Sequence, residues 1–117
     1  MSRFVNKIIL VGIIGCDPDV QVFDNDSKTA HISLQTCRPQ GDSDAIRSDW
    51  HRVTMHNRLA SFCENYVSKG ARVYIEGVLQ YDSYERDGIT IPTADVIARE
   101  VVLLSADVSP ERAEGRG

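Results

Sequence analysis

Apolar and polar residues alternate along most of the chain with the period of two that is typical of β-strands. Val5 to Gly15 is mostly apolar and β-branched, which predicts a first strand that is buried on much of both faces. Lys28 to Thr36 instead places apolar residues on one face and polar residues on the other, as in a half-buried strand. Three further strands are predicted over Asp49 to Asn57, Ala71 to Gln80 and Thr93 to Leu104.

One segment, Leu59 to Val67, has the period of a helix. A polar loop is expected before it, from Arg38 to Ser48, and Asp87-Gly88 predicts a hairpin turn after it. A single sheet with one short helix must protect its edges, so we expect an all-β fold, a five-stranded barrel with the helix between strands 3 and 4. This domain is predicted over residues 1–105, followed by a flexible tail over residues 106–117. The apolar stripe of the helix consists of Leu59, Phe62, Cys63, Tyr66 and Val67.

Charge and cysteine content narrow the function classes. The 117-residue chain has a formal net charge of −4 at pH 7, which argues against binding nucleic acid by bulk charge but allows a local basic groove. The three cysteines form no CxxC motif, so we expect neither a disulfide framework nor a thiolate zinc site, and we favour a reducing compartment. No apolar run approaches the length of a membrane span. No metal and no cofactor are expected.

The stretch DWHRVTMHNR holds the single tryptophan of the chain and two of its three histidines. Side chains alternate along a strand, so one face should present Trp50, Arg52, Thr54 and His56. Such a row suits unpaired bases and phosphates, because aromatic rings stack on bases and a guanidinium stacks or binds phosphate. The competing interpretation makes Trp50 a core anchor beside a solvated charged face. The opposite face should present His51, with Val53 and Met55 in the core.

A metal site and an enzyme active site are the other two interpretations of the same stretch. His51 and His56 fall on opposite faces, and no Cys or carboxylate lies near them at ligand spacing, which argues against a metal site. No sequence motif supports a nucleophile activated by either histidine, so an enzyme using one of them as an acid or base is the weakest hypothesis.

A second aromatic cluster lies in QYDSYERDG, within the predicted final hairpin. Tyr81 and Tyr84 on a polar hairpin favour a binding surface, although each could instead pack against its own hairpin. Arg38 and Arg47, in the loop before Trp50, are candidates to line the same groove. That loop is not a clean basic patch, because it also holds Asp42, Asp44 and Asp49.

Four motifs occur in order along the chain: VNKIILVG followed by GCDPDV, then DWHRV, then YVSKGARVYIEG, then ADVIAREVVLLS. Together they make the chain, from Val5 to about Asp107, resemble bacterial and mitochondrial single-stranded DNA-binding proteins. The resemblance implies an OB-fold that forms a homotetramer, as a dimer of dimers, and binds single-stranded DNA without catalysis in replication, repair and recombination.

The resemblance also implies roles for individual residues. Trp50 stands where the family has a stacking Trp, and His56 stands where it usually has a stacking Phe. Tyr84 stands at a position that is aromatic in the family, whereas Gln40 stands roughly where the family has another stacking Trp. With the aromatic cluster and the loop arginine added, the expected DNA-binding residues are Trp50, Arg52, His56, Tyr84, Tyr81, Arg58, Lys7, Arg3 and Arg38. The expected subunit-interface residues are Asn6, Ile8, Leu10, His51 and Tyr74.

The chain departs from the family pattern in two further places. Asp82 and Glu85 occupy hairpin positions that tend to be basic, which should weaken phosphate attraction. The sequence ends in SPERAEGRG, without the acidic tip that in the family recruits replication and repair proteins. The expected location is DNA-associated, in a bacterial cytoplasm or a mitochondrial matrix. The alternative function is an OB-fold RNA-binding or primosome-type protein-interaction module.

Overall fold

A computed structural model describes residues 3–42 and 45–105, and within these it contains six strands and one helix. The predicted tail, residues 106–117, lies outside the described residues. In chain order the elements are β1 Ile8–Ile14, β2 Asp19–Val22, β3 Lys28–Pro39, β4 Ile46–His56, α1 Arg58–Tyr66, β5 Arg72–Arg86 and β6 Ile89–Ser105.

The sheet closes on itself, as predicted. Its strand order is β1-β5-β6-β4-β3-β2, and β1 also pairs with β3, through Ile13 with Gln35 and Ile14 with Leu34. The closed barrel therefore has five strands, and β2 lies antiparallel along β3 outside it. If β1 and β2 are counted as two arms of one bent strand, the helix lies between the third and fourth strands, which confirms the predicted architecture.

The barrel interior is filled by the apolar faces of the strands. Cys63 of α1 is buried and its Sγ lies 2.9 Å from Sδ of Met55, so the helix packs against one side of this core. Burial raises the pKa of the Cys63 thiol to about 11, because the thiolate is poorly solvated there. The fully buried large side chains are Ile14, Leu34, Met55, Ile75, Val53, Val73 and Cys63.

The first strand differs from its prediction. Its burial alternates, with Ile8 and Leu10 packed against the core and Ile9 and Val11 about half exposed, so it is not buried on both faces. A continuous apolar run does not reveal which face is covered, because both faces have the same composition.

The prediction of a loop from Arg38 to Ser48 is also partly wrong. β3 continues to Pro39 and β4 begins at Ile46, so the two strands form a ribbon that extends beyond the barrel. Both faces of this extension are exposed and mixed in composition, and it therefore carries no periodic hydrophobic signal.

The final hairpin is longer than expected. β5 runs without interruption to Arg86, and β6 begins at Ile89 rather than Thr93. Asp87 and Gly88 both have positive φ, 53° and 79°, which confirms the predicted two-residue turn. The pairing register shifts between Glu76 and Gly77, where an added Cβ would lie 2.1 Å from the carbonyl oxygen of Ile97, so this close approach of two strands requires glycine.

Candidate nucleic-acid interface

The β3–β4 ribbon carries two facing rows of side chains on its outer face. Directly opposed residues of an antiparallel pair point to the same side, so the register fixes which side chains are neighbours. Val53 and Met55 are fully buried on the other side, which confirms the predicted alternation. The outer pairs, from the ribbon extension toward the helix, are Gln35 with Trp50, Ser33 with Arg52, His31 with Thr54, and Thr29 with His56.

Trp50 is a surface residue, with 57% of it exposed. Its ring lies against Gly15, where an added Cβ would be 2.2 Å from ring atom Cζ3. The absence of a side chain at Gly15 therefore makes room for the indole. Because more than half of Trp50 is open to solvent, the interpretation as a core anchor is excluded.

An open groove of about 350 Å³ lies beside the Trp50 ring. The groove is large enough to admit part of a nucleotide. It is open rather than enclosed, and a continuous polymer can only pass along an open surface. Besides Trp50 it is lined by Cys16, Asp19, His31, Ile32, Ser33, His51 and Arg52.

Arg52 lies next along the row, and its side chain is 65% exposed. Parallel pairing of β4 with β6 brings it beside Asp95, and the Arg52 Nε lies 3.4 Å from Asp95 Oδ1. That separation is longer than the roughly 2.7–2.9 Å of a charge-assisted hydrogen bond. Asp95 Oδ1 accordingly has no hydrogen-bond partner in the described structure, so the contact is an ion pair alone.

The row is interrupted at Thr54. Only 7% of Thr54 is exposed, and its hydroxyl lies 3.0 Å from Nδ1 of His31. Thr54 is therefore unavailable to a ligand, and the imidazole of His31 takes its place at the surface. His56, at the end of the row, is exposed, with Nδ1 3.4 Å from the hydroxyl of Thr29.

Two of the other expected cations have carboxylate neighbours. Arg38 Nε lies 2.7 Å from Asp49 Oδ2, and Lys7 Nζ lies 3.6 Å from Glu76 Oε2. Exposed ion pairs contribute only about 0–1 kcal/mol, so a phosphate can compete for these cations. The remaining two, Arg3 near the N-terminus and Arg58 at the start of α1, are exposed.

The two hairpin tyrosines are exposed, Tyr81 by 75% and Tyr84 by 49%, but they point in different directions. Tyr84 shares a face with Gln80, which is paired with Asp95, and so lies on the side of the sheet that bears Arg52. Tyr81 is an odd number of positions away and faces the other side. Only Tyr84 therefore continues the surface that carries Trp50.

The expected subunit-interface residues are distributed over several environments. The Asn6 side chain pairs with the Leu79 backbone, donating to its carbonyl at 2.7 Å and accepting from its N–H at 2.9 Å. Ile8 and Leu10 pack against the core, so the side chains that β1 presents outward are Ile9 and Val11 instead.

The other two expected interface residues are engaged within the chain. His51 is half-buried, with Nε2 2.8 Å from the hydroxyl of Thr36. The Tyr74 hydroxyl donates to Glu76 Oε1 at 2.9 Å. This hydrogen bond, together with burial and the negative charges of Glu76 and Glu100, raises the pKa of Tyr74.

Tyr74 lies within an exposed apolar surface on the far side of the barrel. The register places it between Val11 of β1 and Val102 of β6. We name this surface the outer β1–β5–β6 face and define its apolar residues, each 41–52% exposed, as Ile9, Val11, Val102 and Leu104.

A model of the single-strand binding protein family matches residues 5–104. The chain belongs to this family. The single-stranded DNA-binding protein of Xanthomonas axonopodis pv. citri is 37% identical over 108 residues, which cover 89% of this chain and 60% of that protein. The corresponding protein of Neisseria meningitidis is 35% identical over 104 residues, covering 86% and 60%. The chain thus spans about three fifths of the length of these relatives.

A solved structure of the same family supports the fold assignment. The structure described as "Plasmodium falciparum SSB complex with ssDNA" superimposes with a TM-score of 0.82 at 26% identity, covering 90% of this chain and 99% of that one. The closed five-stranded sheet is therefore the OB-fold of the single-strand binding protein family.

Sequence reasoning did not assign Gly15, His31 or Asp95 to the site. His31 was recognisable as a polar-face residue of its strand, and Gly15 as the end of the first apolar segment, but neither pattern reveals the neighbour across the sheet. Among residues 3–42 and 45–105, no group of three or more His, Cys, Asp or Glu side chains could hold a metal ion. No helix in the same ranges is long and apolar enough to cross a membrane.

Proposed function

We propose that this protein binds single-stranded DNA with little sequence preference and without catalysis. The observation that carries the proposal is Trp50, an indole that is 57% exposed yet held against Gly15, beside the Arg52 guanidinium. Stacking of a base on an aromatic side chain contributes roughly 1–3 kcal/mol and tolerates any base, because every base has a π-face. The family membership and the similar structure with bound single-stranded DNA support the same function.

The proposed binding surface runs along the outer side of the β3–β4 ribbon and onto the final hairpin. Trp50, His56 and Tyr84 supply rings, and Arg52 supplies a guanidinium in the row between Trp50 and His56. We assign Arg3, Lys7, Arg38 and Arg58 to the periphery of this path. Tyr81, on the reverse side of the hairpin, contributes if the DNA strand passes around the hairpin.

Binding of this kind changes the state of DNA by mass action alone. A protein that binds only the unpaired state shifts the equilibrium toward it, so hairpins melt and reannealing is opposed. These are the effects required of a protein that protects single strands in replication, repair and recombination. Each neutralised phosphate contributes about −0.7 to the slope of log K against log salt concentration. Because several cations here have carboxylate neighbours, we expect a shallow slope.

We also propose that the protein assembles as a homotetramer, a dimer of dimers. Among the described residues, β1 pairs with β3 only through Ile13 and Ile14, so the edge of Ile8 to Val11 away from β5 has no paired strand. An open edge next to the outer β1–β5–β6 face favours pairing with a second copy, which would cover both.

A competition experiment tests the proposed function. A fluorescently labelled dT oligomer bound to the protein is challenged with unlabelled poly(dT), duplex DNA or structured RNA, and anisotropy is recorded. We expect poly(dT) to displace the probe at much lower concentration than either alternative. Preferential displacement by RNA would instead favour an RNA-binding module, and failure of the probe to bind would refute the proposal.

A further inference from the structure

Asp95 is held in place by the parallel pairing of β6 with β4. It precedes Val96, which is 2% exposed in the core, and β6 runs parallel to β4 at this point, with Asp95 paired to Arg52 and Val96 to Val53. The backbone at Asp95 is therefore fixed by strand pairing on both edges and by the buried Val96 that follows it, so its carboxyl group cannot move far from Arg52.

The environment of this carboxyl group is unusual. Only 19% of the Asp95 side chain is exposed, and its Oδ1 is buried without a hydrogen-bond partner in the described structure. Burying a carboxylate is costly unless an opposite charge compensates it. The ion-pair partner of Asp95 is Arg52, at 3.4 Å, and this attraction draws the guanidinium toward β6.

This arrangement affects DNA binding, and the inference rests on the function proposed above. We propose that Asp95 is a positioning residue for Arg52, which fixes the guanidinium in the groove beside Trp50 and withholds its charge from the phosphate backbone. An arginine whose charge is compensated in the free protein neutralises less phosphate charge on binding. Asp95 therefore makes recognition depend more on stacking and less on salt.

The test measures the salt dependence of dT-oligomer binding for the full chain. Asp95→Asn keeps the size of the side chain and removes its charge. We expect tighter binding at low salt and a slope of log K against log salt concentration that is steeper by about 0.7, the value for one additional neutralised phosphate. Asp95→Glu, which keeps a carboxylate within reach of Arg52, is expected to retain the wild-type slope.

Repeating the measurement in protein that carries Arg52→Gln separates positioning of Arg52 by Asp95 from direct repulsion of DNA by Asp95. If Asp95 acts through Arg52, Asp95→Asn will leave the slope unchanged in protein that already carries Arg52→Gln. The same steepening in both backgrounds would show that Asp95 acts independently of Arg52 and would overturn the inference. An unchanged slope for Asp95→Asn in protein that retains Arg52 would overturn it too. If circular dichroism shows that Asp95→Asn does not fold, Asp95→Ser replaces it. If the wild-type protein itself did not bind the dT oligomer, the proposed function would be refuted instead.

Discussion

Replacing Gly15 with alanine adds one methyl group beneath the Trp50 ring. The new Cβ would lie 2.2 Å from Cζ3 and 2.9 Å from Cη2 of the indole. Carbon atoms in contact are normally about 3.5–4.0 Å apart, so the ring must move by at least about 1.3 Å. The atoms that must move belong to an exposed side chain, so the ring can swing away from the barrel without disturbing the core.

The expected cost therefore falls on binding rather than on folding. Stacking contributes roughly 1–3 kcal/mol per base, so a displaced ring should weaken dT binding by about 5-fold to 150-fold. Because Trp50 is more than half exposed, we expect the free energy of unfolding to fall by less than about 1 kcal/mol. Gly12→Ala is the contrasting variant. Its Cβ would lie 2.2 Å from the backbone oxygen of Gln35, which cannot move aside, so it should cost about 1–3 kcal/mol of stability.

The assay is a double-mutant cycle in which fluorescence anisotropy of a labelled dT oligomer reports affinity and urea unfolding reports stability. Trp50→Ala alone should weaken binding by the same roughly 1–3 kcal/mol. In the Trp50→Ala background, Gly15→Ala should cause little further loss, because no ring remains to displace. Equal losses in both backgrounds, or undiminished affinity of Gly15→Ala in wild-type protein, would refute the reasoning.

Two further predictions concern assembly and the core. Val11→Asp places a charge on the outer β1–β5–β6 face and should lower the mass measured by light scattering below that of a tetramer. Val22→Asp, on β2, is the matched control and should leave the mass unchanged. An unchanged mass for Val11→Asp would count against the interface. The stabilising effect of the buried Cys63 thiol should be complete below pH 9 and decline as pH rises toward about 11, because burial raises its pKa in the folded chain. Urea unfolding of wild type and Cys63→Ala should therefore show a stability difference that shrinks over this range, and a constant difference would contradict it.

Much of the fold follows from local sequence patterns. Alternation correctly identified the buried face of β3 and the core positions Val53 and Met55, and Asp87-Gly88 located the hairpin turn. The patterns were insufficient where both faces had similar polarity. The apolar β1 gave no sign that Ile9 and Val11 are exposed, and the ribbon extension, exposed on both faces, gave no sign of being strand.

The candidate site was predictable only along single strands. The row from Trp50 to His56 could be assigned to one face because the alternation lies within one segment. The contacts that shape this row come from other parts of the chain, namely Gly15 beneath Trp50, His31 over Thr54 and Asp95 beside Arg52. Such contacts depend on the pairing register, which is set by closure of the whole barrel and is not encoded in any one segment.

The most direct test of the account is the intrinsic fluorescence of the wild-type protein, since Trp50 is its single tryptophan. Stacking of a base on the indole should quench this fluorescence as a dT oligomer is added, and the signal should saturate. A duplex of the same length should cause little quenching, because its bases are already stacked on one another. Tight dT binding without a change in Trp50 fluorescence, or equal quenching by duplex DNA, would contradict the central claim that exposed single strands stack on Trp50.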